Sequence, residues 1–544
     1  MARLLQIFGF LSVLLRGATL TFQTLTVGGI LFLVLVLRSA ASEAGDTKIS
    51  CLRWTRRFAL ALVVAQSFYL LATALILMQS AEIGLADVIG ANFVFAGALG
   101  IAGSLTIGIL SGFGQNGSER ALLLPAAAII ASSVLTSHAM ARLEYRFPLA
   151  LVTALHQLAT AAWLGGLPFL LMAIRCASAP EFVRRLSVRF SQLALVSVAV
   201  LASGGVILSF AYVGSVSAIY GTSYGAMVAT KAILFALLLS LGALNFQLVR
   251  WGGTSSILGS LRRFGEAEIG IGITVILSAA SLTSLPPAVD LVQDRVSAPE
   301  IYARMTPRSP RLSSPAMKDL PEDVYAAQKK AFEMGSLSSE SYVPGQSGTR
   351  PNTPAEKAWS EYNHHWAGLI VLFIGLFALL AQFGKISLAR NWPLLFLGLS
   401  AFLFLRSDPE VWPLGPNGFW VTFADPEVLL HRIFAALVIA LAVFEWRVQT
   451  GRAASPNIRL AFPVLIAVSG ALLLTHSHSL GNIKEEVLAE LSHIPLAILA
   501  VMAGWSRWLE LRLPEENHRR VWLARLWPVC ISLIGIFLLN YREM

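Results

Sequence analysis

Apolar runs of about twenty residues, separated by short polar loops, recur along almost the whole chain. We read fourteen of them, at roughly 17–38, 56–78, 90–112, 121–140, 149–174, 190–213, 226–249, 267–286, 364–383, 391–406, 428–446, 459–475, 490–507 and 524–541. Runs of this length are long enough to cross a bilayer as helices. Inside lipid a helix is required, because the backbone N–H and C=O groups find no water there. The expected fold is an all-α, polytopic membrane helix bundle of about 14 transmembrane helices.

One stretch breaks the pattern. Residues 287–360 are polar, rich in Pro and Ser, and carry both charge signs. They divide the chain into an N-terminal eight-helix bundle (1–286), a linker (287–360) and a C-terminal six-helix bundle (361–544). Within the linker a short helix is predicted near 322–334 (EDVYAAQKKAFEM).

Basic residues assign the loops to two sides. One set carries Arg38, Lys48, Arg53, Arg56 and Arg57, then Arg120, then Arg175, Arg184, Arg185 and Arg189, then Arg250, Arg262 and Arg263. It continues through Lys385, Arg390, Arg447, Arg452 and Arg459 to Arg507, Arg512, Arg519, Arg520 and Arg525. The opposite short loops carry only Arg142, Arg146, Arg406 and Lys484. By the positive-inside rule the first set is cytoplasmic, which puts both termini and the linker outside.

Composition agrees. The 544 residues are 56% hydrophobic and 13% charged, against about 25% charged in soluble domains. The net charge of +10 follows from arginine in short cytoplasmic loops and gives no argument for nucleic acid. The three cysteines, Cys51, Cys176 and Cys530, are far apart and form no CxxC. That excludes a disulfide scaffold, a thiolate zinc site and c-type haem attachment. The first residues (MARLLQIFGFLSVLLRGATL) have signal-peptide character, but apolar sequence resumes at once through Leu37, so a retained first helix is expected.

Eight of the nine histidines fall at span ends on the expected outer side: His138, His156, His364, His365, His431, His476, His478 and His493. Imidazole is costly inside a bilayer and is a common transition-metal ligand. His138 ends the fourth span and His156 opens the fifth, so antiparallel neighbours bring both to the outer edge. Met140 lies beside His138, and imidazole with thioether suits copper, particularly Cu(I). Gly165 and Gly166 permit close helix approach deeper in the fifth span. The plainer alternatives for the two histidines are interfacial snorkelling or a structural hydrogen bond.

The segments HAM near 138, HQLATAAWLGGL at 156–167, RFSQLALVSVAVLASGG at 189–205 and GTSYGAMVATK at 221–231 occur in order. In these the region 130–286 resembles the copper resistance protein D (CopD) family. The resemblance implies a bacterial plasma-membrane protein of copper uptake or tolerance, with His138 and His156 as ligands and a periplasmic carrier of the CopC type as donor. Ser137 stands where the resemblance leads us to expect glycine. Lys231, two turns inside its span, either snorkels outward or counterbalances a cation.

The C-terminal spans repeat one device. Glu361 precedes His364 and His365, Glu427 precedes His431, and Glu490 precedes His493, each by three or four residues. Such spacing shares a helix face. The carboxylates would orient metal-binding imidazoles, ligate as in E-x-x-H di-iron bundles, relay protons, or merely cap the helices. Asp425-Pro426 reads as an N-cap with proline at N1, starting the helix of His431. His476 and His478 are two residues apart and point to different faces of a helix.

His431 and His493 also fit an outer b-type haem. With only His518 near the inner face, a two-haem transmembrane wire is not expected. Met172 and Cys176 lie at the inner end of the helix that carries His156, where core packing or an exit path are the alternatives. No P-loop, Cys-Pro-Cys, Asp-Lys-Thr-Gly, HExxH or dinucleotide fingerprint occurs. The expectation is a non-enzymatic membrane protein that binds copper at His138, Met140 and His156. A second group comprises His364, His365, His431, His476, His478 and His493, supported by Glu361, Glu427 and Glu490. The alternative is a membrane oxidoreductase with an outer haem or dinuclear centre in the C-terminal bundle.

Overall fold

The structure, a computed structural model, describes residues 2–38, 45–80, 83–116, 118–176, 180–251, 257–293, 295–316, 353–384, 386–408, 411–415, 418–422, 426–452, 455, 457–475 and 484–543. Among them there is no β-strand. Among the described residues eleven helices are long and apolar enough to cross a membrane. The protein is a multi-pass, all-α membrane bundle. The three other expected spans fall on the helices Leu123–Leu135, Pro426–Gln449 and Ala461–Leu473. The helix expected near 322–334 lies outside the described residues.

The chain forms two compact units, Ile7–Arg295 and Val296–Met544, the second together with Met1–Gln6. In the first, α1 is Ala2–Leu31, α2 Gly45–Ser80, α3 Asn92–Leu110 and α4 Leu123–Leu135. Helix α4 stops early because hydroxyls compete for its last carbonyls. Thr136 Oγ1 donates to Ser133 O (3.1 Å), and Ser137 Oγ to Val134 O (2.7 Å). Ser137 is extended and starts the short helix α5, His138–Ala141.

Next come α6 (Arg146–Thr160), a π-helical turn (Ala161–Gly165) and α7 (Leu167–Cys176), which together make one span. At that turn α1 comes close: a Cβ on Gly165 would overlap the Thr24 carbonyl, and one on Gly28 would overlap Gly165 itself. Small residues permitting such approach are typical of membrane helix packing. Helices α8 (Pro180–Tyr212), α9 (Ser223–Trp251) and α10 (Arg262–Ser284) complete this unit. One end is closed by the buried Leu149, Tyr212, Tyr224, Met227, Leu282 and Leu285.

The second unit holds α11 (Pro354–Gln382), α12 (Leu395–Arg406), α13 (Pro426–Gln449), α14 (Ala461–Leu473), α15 (Lys484–Arg512) and α16 (Arg519–Leu539). Helix α13 covers Pro426, where the Asp-Pro pair predicts a start, while Asp425 lies outside the described residues. The core is aromatic: Trp392 lies 5.4 Å, centroid to centroid, from both Phe462 and Trp527. Helices α11 and α16 meet at glycine, where a Cβ on Gly535 would overlap the backbone of Leu372. Before α11, Ser297 and Glu300 form a capping box on the helix Ala298–Met305, and Lys484 of α15 pairs with Glu300 at 3.1 Å.

Candidate metal-binding sites

His138 opens α5 and reaches α10. Its Nε2 is 3.1 Å from the Leu282 carbonyl, and its ring stands edge-on to Tyr212 and Tyr224, each at 6.0 Å. A carbonyl only accepts, so Nε2 carries the hydrogen and Nδ1 keeps its lone pair. No other residue among those described bonds Nδ1. Beside it, Arg142 makes a two-pronged pair with Asp290 (3.0 Å twice) and covers the Tyr212 ring at 5.9 Å. Met140 is half-buried in the same short helix. Met227, by contrast, is wholly enclosed in the core.

His156 packs into a notch on α8, where a Cβ on Gly204 would lie 3.4 Å from its Nδ1. That nitrogen is buried and has no hydrogen-bond partner. Tyr212 and Gly204, against which the two imidazoles pack, are eight residues apart on α8, roughly 12 Å along its axis. The two histidines thus meet α8 at different heights. Among the described residues no cluster of three or more His, Cys, Asp or Glu has metal-holding geometry.

Seven residues below His156 on the same face, sequence reasoning missed a third polar station. Trp163 Nε1 donates to Glu268 Oε1 of α10 at 2.7 Å, and Asn245 Nδ2 of α9 donates to Oε2 at 2.6 Å. Glu268 is 2% exposed. In the sequence it hides beside the basic RRFGEAE cluster, where it reads as one more charge at a helix end. The neighbouring Glu266 is the rim charge, bound to Arg175, Arg262 and Arg263.

In the second unit Glu361, expected beside His364 and His365, has a partner from outside its helix. Glu361 bonds to Arg311 at 3.4 Å. His365 accepts the Arg311 backbone N–H at Nδ1 (2.7 Å) and donates from Nε2 to the Tyr541 carbonyl (2.9 Å). Both ring nitrogens are hydrogen-bonded, and His365 is 5% exposed. His364 donates from Nδ1 to its own helix at Ser360 O (2.8 Å) and stacks on Tyr541 at 3.8 Å. His493 lies 5.9 Å from the other member of this group, the Tyr541 ring. Tyr541 thus gathers three of the C-terminal histidines, a role that nothing in its local sequence announces.

His431 has a carboxylate, and it is Asp408 at 2.7 Å from Nδ1. Burial alone would raise the Asp408 carboxyl. The His431 and Ser407 hydrogen bonds and the Arg432 charge outweigh it and hold the carboxyl below its usual value. This is the carboxylate–imidazole arrangement that fixes a ligand's tautomer and directs Nε2 outward. Glu490 is buried at 5% exposure on α15. His476, His478 and the side chain of Glu427 lie outside the described residues.

Residues 184–282, which span α8, α9 and α10, match the family "Copper resistance protein D" (CopD). Over 165 residues the chain is 32% identical to the copper transport protein CutJ of Bacillus subtilis (strain 168), a stretch that is 29% of this chain and 29% of that protein. The chain thus spans under a third of the length of this curated relative. No solved structure matches. The matched helices supply the Leu282 carbonyl to His138, the Gly204 notch to His156, and both Asn245 and Glu268.

Proposed function

We propose, from the match of residues 184–282 to the copper resistance protein D family, that this protein binds copper at the periplasmic face of a bacterial plasma membrane and carries it inward. The observation that carries the reading is the orientation of His138. The Leu282 carbonyl holds one nitrogen and so presents the other, with its lone pair, at the end of the family-matched helices. A soft cation exchanges water for imidazole nitrogen there, with Met140 as a thioether neighbour in the same turn. His156 is the next station, and its buried, unpartnered Nδ1 is a second lone pair on the way inward. Lys231 of α9, inside its span, counterbalances a cation on this path, so that the ion dwells weakly and moves on.

Copper is cargo in this scheme. A periplasmic carrier of the CopC type is a fitting donor, and the distribution of basic loops supports an outer position for the His138 end. In the second unit His431, oriented by Asp408, together with His364 and His493 around Tyr541, forms the further copper-binding group. His365 is left out of it. The test is copper titration of the purified full chain in detergent, read by bound metal per protein. Wild type binds copper stoichiometrically, and a His138→Ala, His156→Ala double variant loses the N-terminal equivalent. Equal copper in both would remove these residues from the function.

A further inference from the structure

Glu268 is a carboxyl group inside the membrane part of the bundle with no cation beside it. Both oxygens meet N–H donors, Trp163 Nε1 and Asn245 Nδ2, and no basic side chain among the described residues pairs with it. The charged groups on the elements packed around it point elsewhere. On α10 and α7, Arg262, Arg263 and Arg175 bind Glu266. On α9, Lys231 lies fourteen residues from Asn245, about 21 Å along the helix, and Arg250 is in the last turn. On α1, Arg16 reaches Thr136. Cys176 is exposed at the end of α7.

The partner Asn245 is unusual in one respect. It is 8% exposed, and its own Oδ1 is buried with no hydrogen bond. Rotating the amide by half a turn would exchange Nδ2 and Oδ1 opposite Glu268 Oε2. With Nδ2 facing, the amide donates to a carboxylate. With Oδ1 facing, it accepts from a carboxylic O–H. The 2.6 Å spacing suits a charge-assisted N–H bond and an O–H bond alike. The site can therefore satisfy Glu268 with and without a proton. It contains no sulfur or imidazole, which makes it a poor stop for copper.

We propose that Glu268 is a proton-exchange site: it takes a proton on Oε2 and releases it again, with Asn245 rotating to match, and its charge state is coupled to a cation at His156. His156 and Trp163 share the continuous α6–π-turn segment, seven residues and roughly 10 Å apart. A copper ion at His156 repels the proton on Glu268, and proton release in turn favours cation occupancy above it. Ionisable groups inside membrane bundles mark such pathways, and π-helical turns such as the one bearing Trp163 recur at functional sites. The coupling rests on the copper-carrier reading, whereas proton exchange at Glu268 does not.

The experiment is infrared difference spectroscopy of the full chain in lipid across a pH step, with no metal present. The expected result is a carboxylic C=O band that appears on acidification, shifts in D2O, and is absent from Glu268→Gln. In Trp163→Phe the band moves to higher frequency, because one hydrogen bond to the carboxyl is lost, and this readout stands even if the Gln variant folds poorly. Absence of a titrating band assignable to Glu268, or a band unmoved in Trp163→Phe, overturns the proposal. Copper uptake by sealed vesicles then tests the coupling: an imposed pH gradient changes the wild-type rate several-fold and leaves Glu268→Gln unchanged. If the gradient acts equally on both, the coupling is wrong. If neither protein carries copper while the band is present, the copper reading fails and proton exchange at Glu268 stands.

Discussion

His138 Nε2 and the Leu282 carbonyl lie 3.1 Å apart, bridging α5 to the last turn of α10. This one hydrogen bond selects the tautomer and so decides which nitrogen a metal meets. His138→Ala should remove copper from the N-terminal site while costing only about 1 kcal/mol of stability, the net worth of one hydrogen bond. Copper titration and thermal unfolding on the same preparation check the two halves of this expectation. A large loss of stability with copper retained would mark His138 as purely structural.

Asp408 and His431 give a second test. Removing the carboxylate with Asp408→Asn leaves the imidazole in place but unoriented. Partners of this type are worth about 10–100-fold in metal affinity. The variant should therefore weaken copper binding in the second unit by that order, and His431→Ala should do so at least as much. Competition with a chelator of known affinity reads the difference.

The same pair has a pH signature. The folded-state Asp408 carboxyl sits below its ordinary value, so its stabilising effect is fully present above the ordinary carboxylate range, near pH 4. It is lost as pH falls through the lower, folded-state value. Hydrogen exchange in the first turns of α13 should rise in strong acid only. In Asp408→Asn that acid-dependent step should vanish.

His365 is expected to behave differently from its neighbour. Because it bridges the Arg311 amide and the Tyr541 carbonyl, His365→Ala should leave bound copper unchanged. It orphans two polar groups, at about 1–3 kcal/mol each for those kept from water. Melting of the purified chain should shift downward with the metal content intact.

Much of the architecture was legible in the sequence, because apolar runs and basic loops are physical necessities in a bilayer. The close approach at Gly165 follows from local chemistry and appears as expected. The pairings were not legible. Glu361 and His365 are one turn apart, yet Arg311, 50 residues before Glu361 and 54 before His365, takes both of them. His431 faces Asp408 from the preceding loop, and Tyr541 collects His364 and His493 from separate helices. Glu268 was masked by the arginines next to it, although only Glu266 binds them. Helical spacing says which residues share a face; which distant segment covers that face is set by packing.

The most direct test is the initial rate of radioactive copper uptake by sealed vesicles of known sidedness, for wild type, His138→Ala and His156→Ala. If copper passes these stations in turn, uptake runs from the face that bears His138, and each substitution reduces it to the level of empty vesicles. Equal uptake by all three proteins would contradict the account.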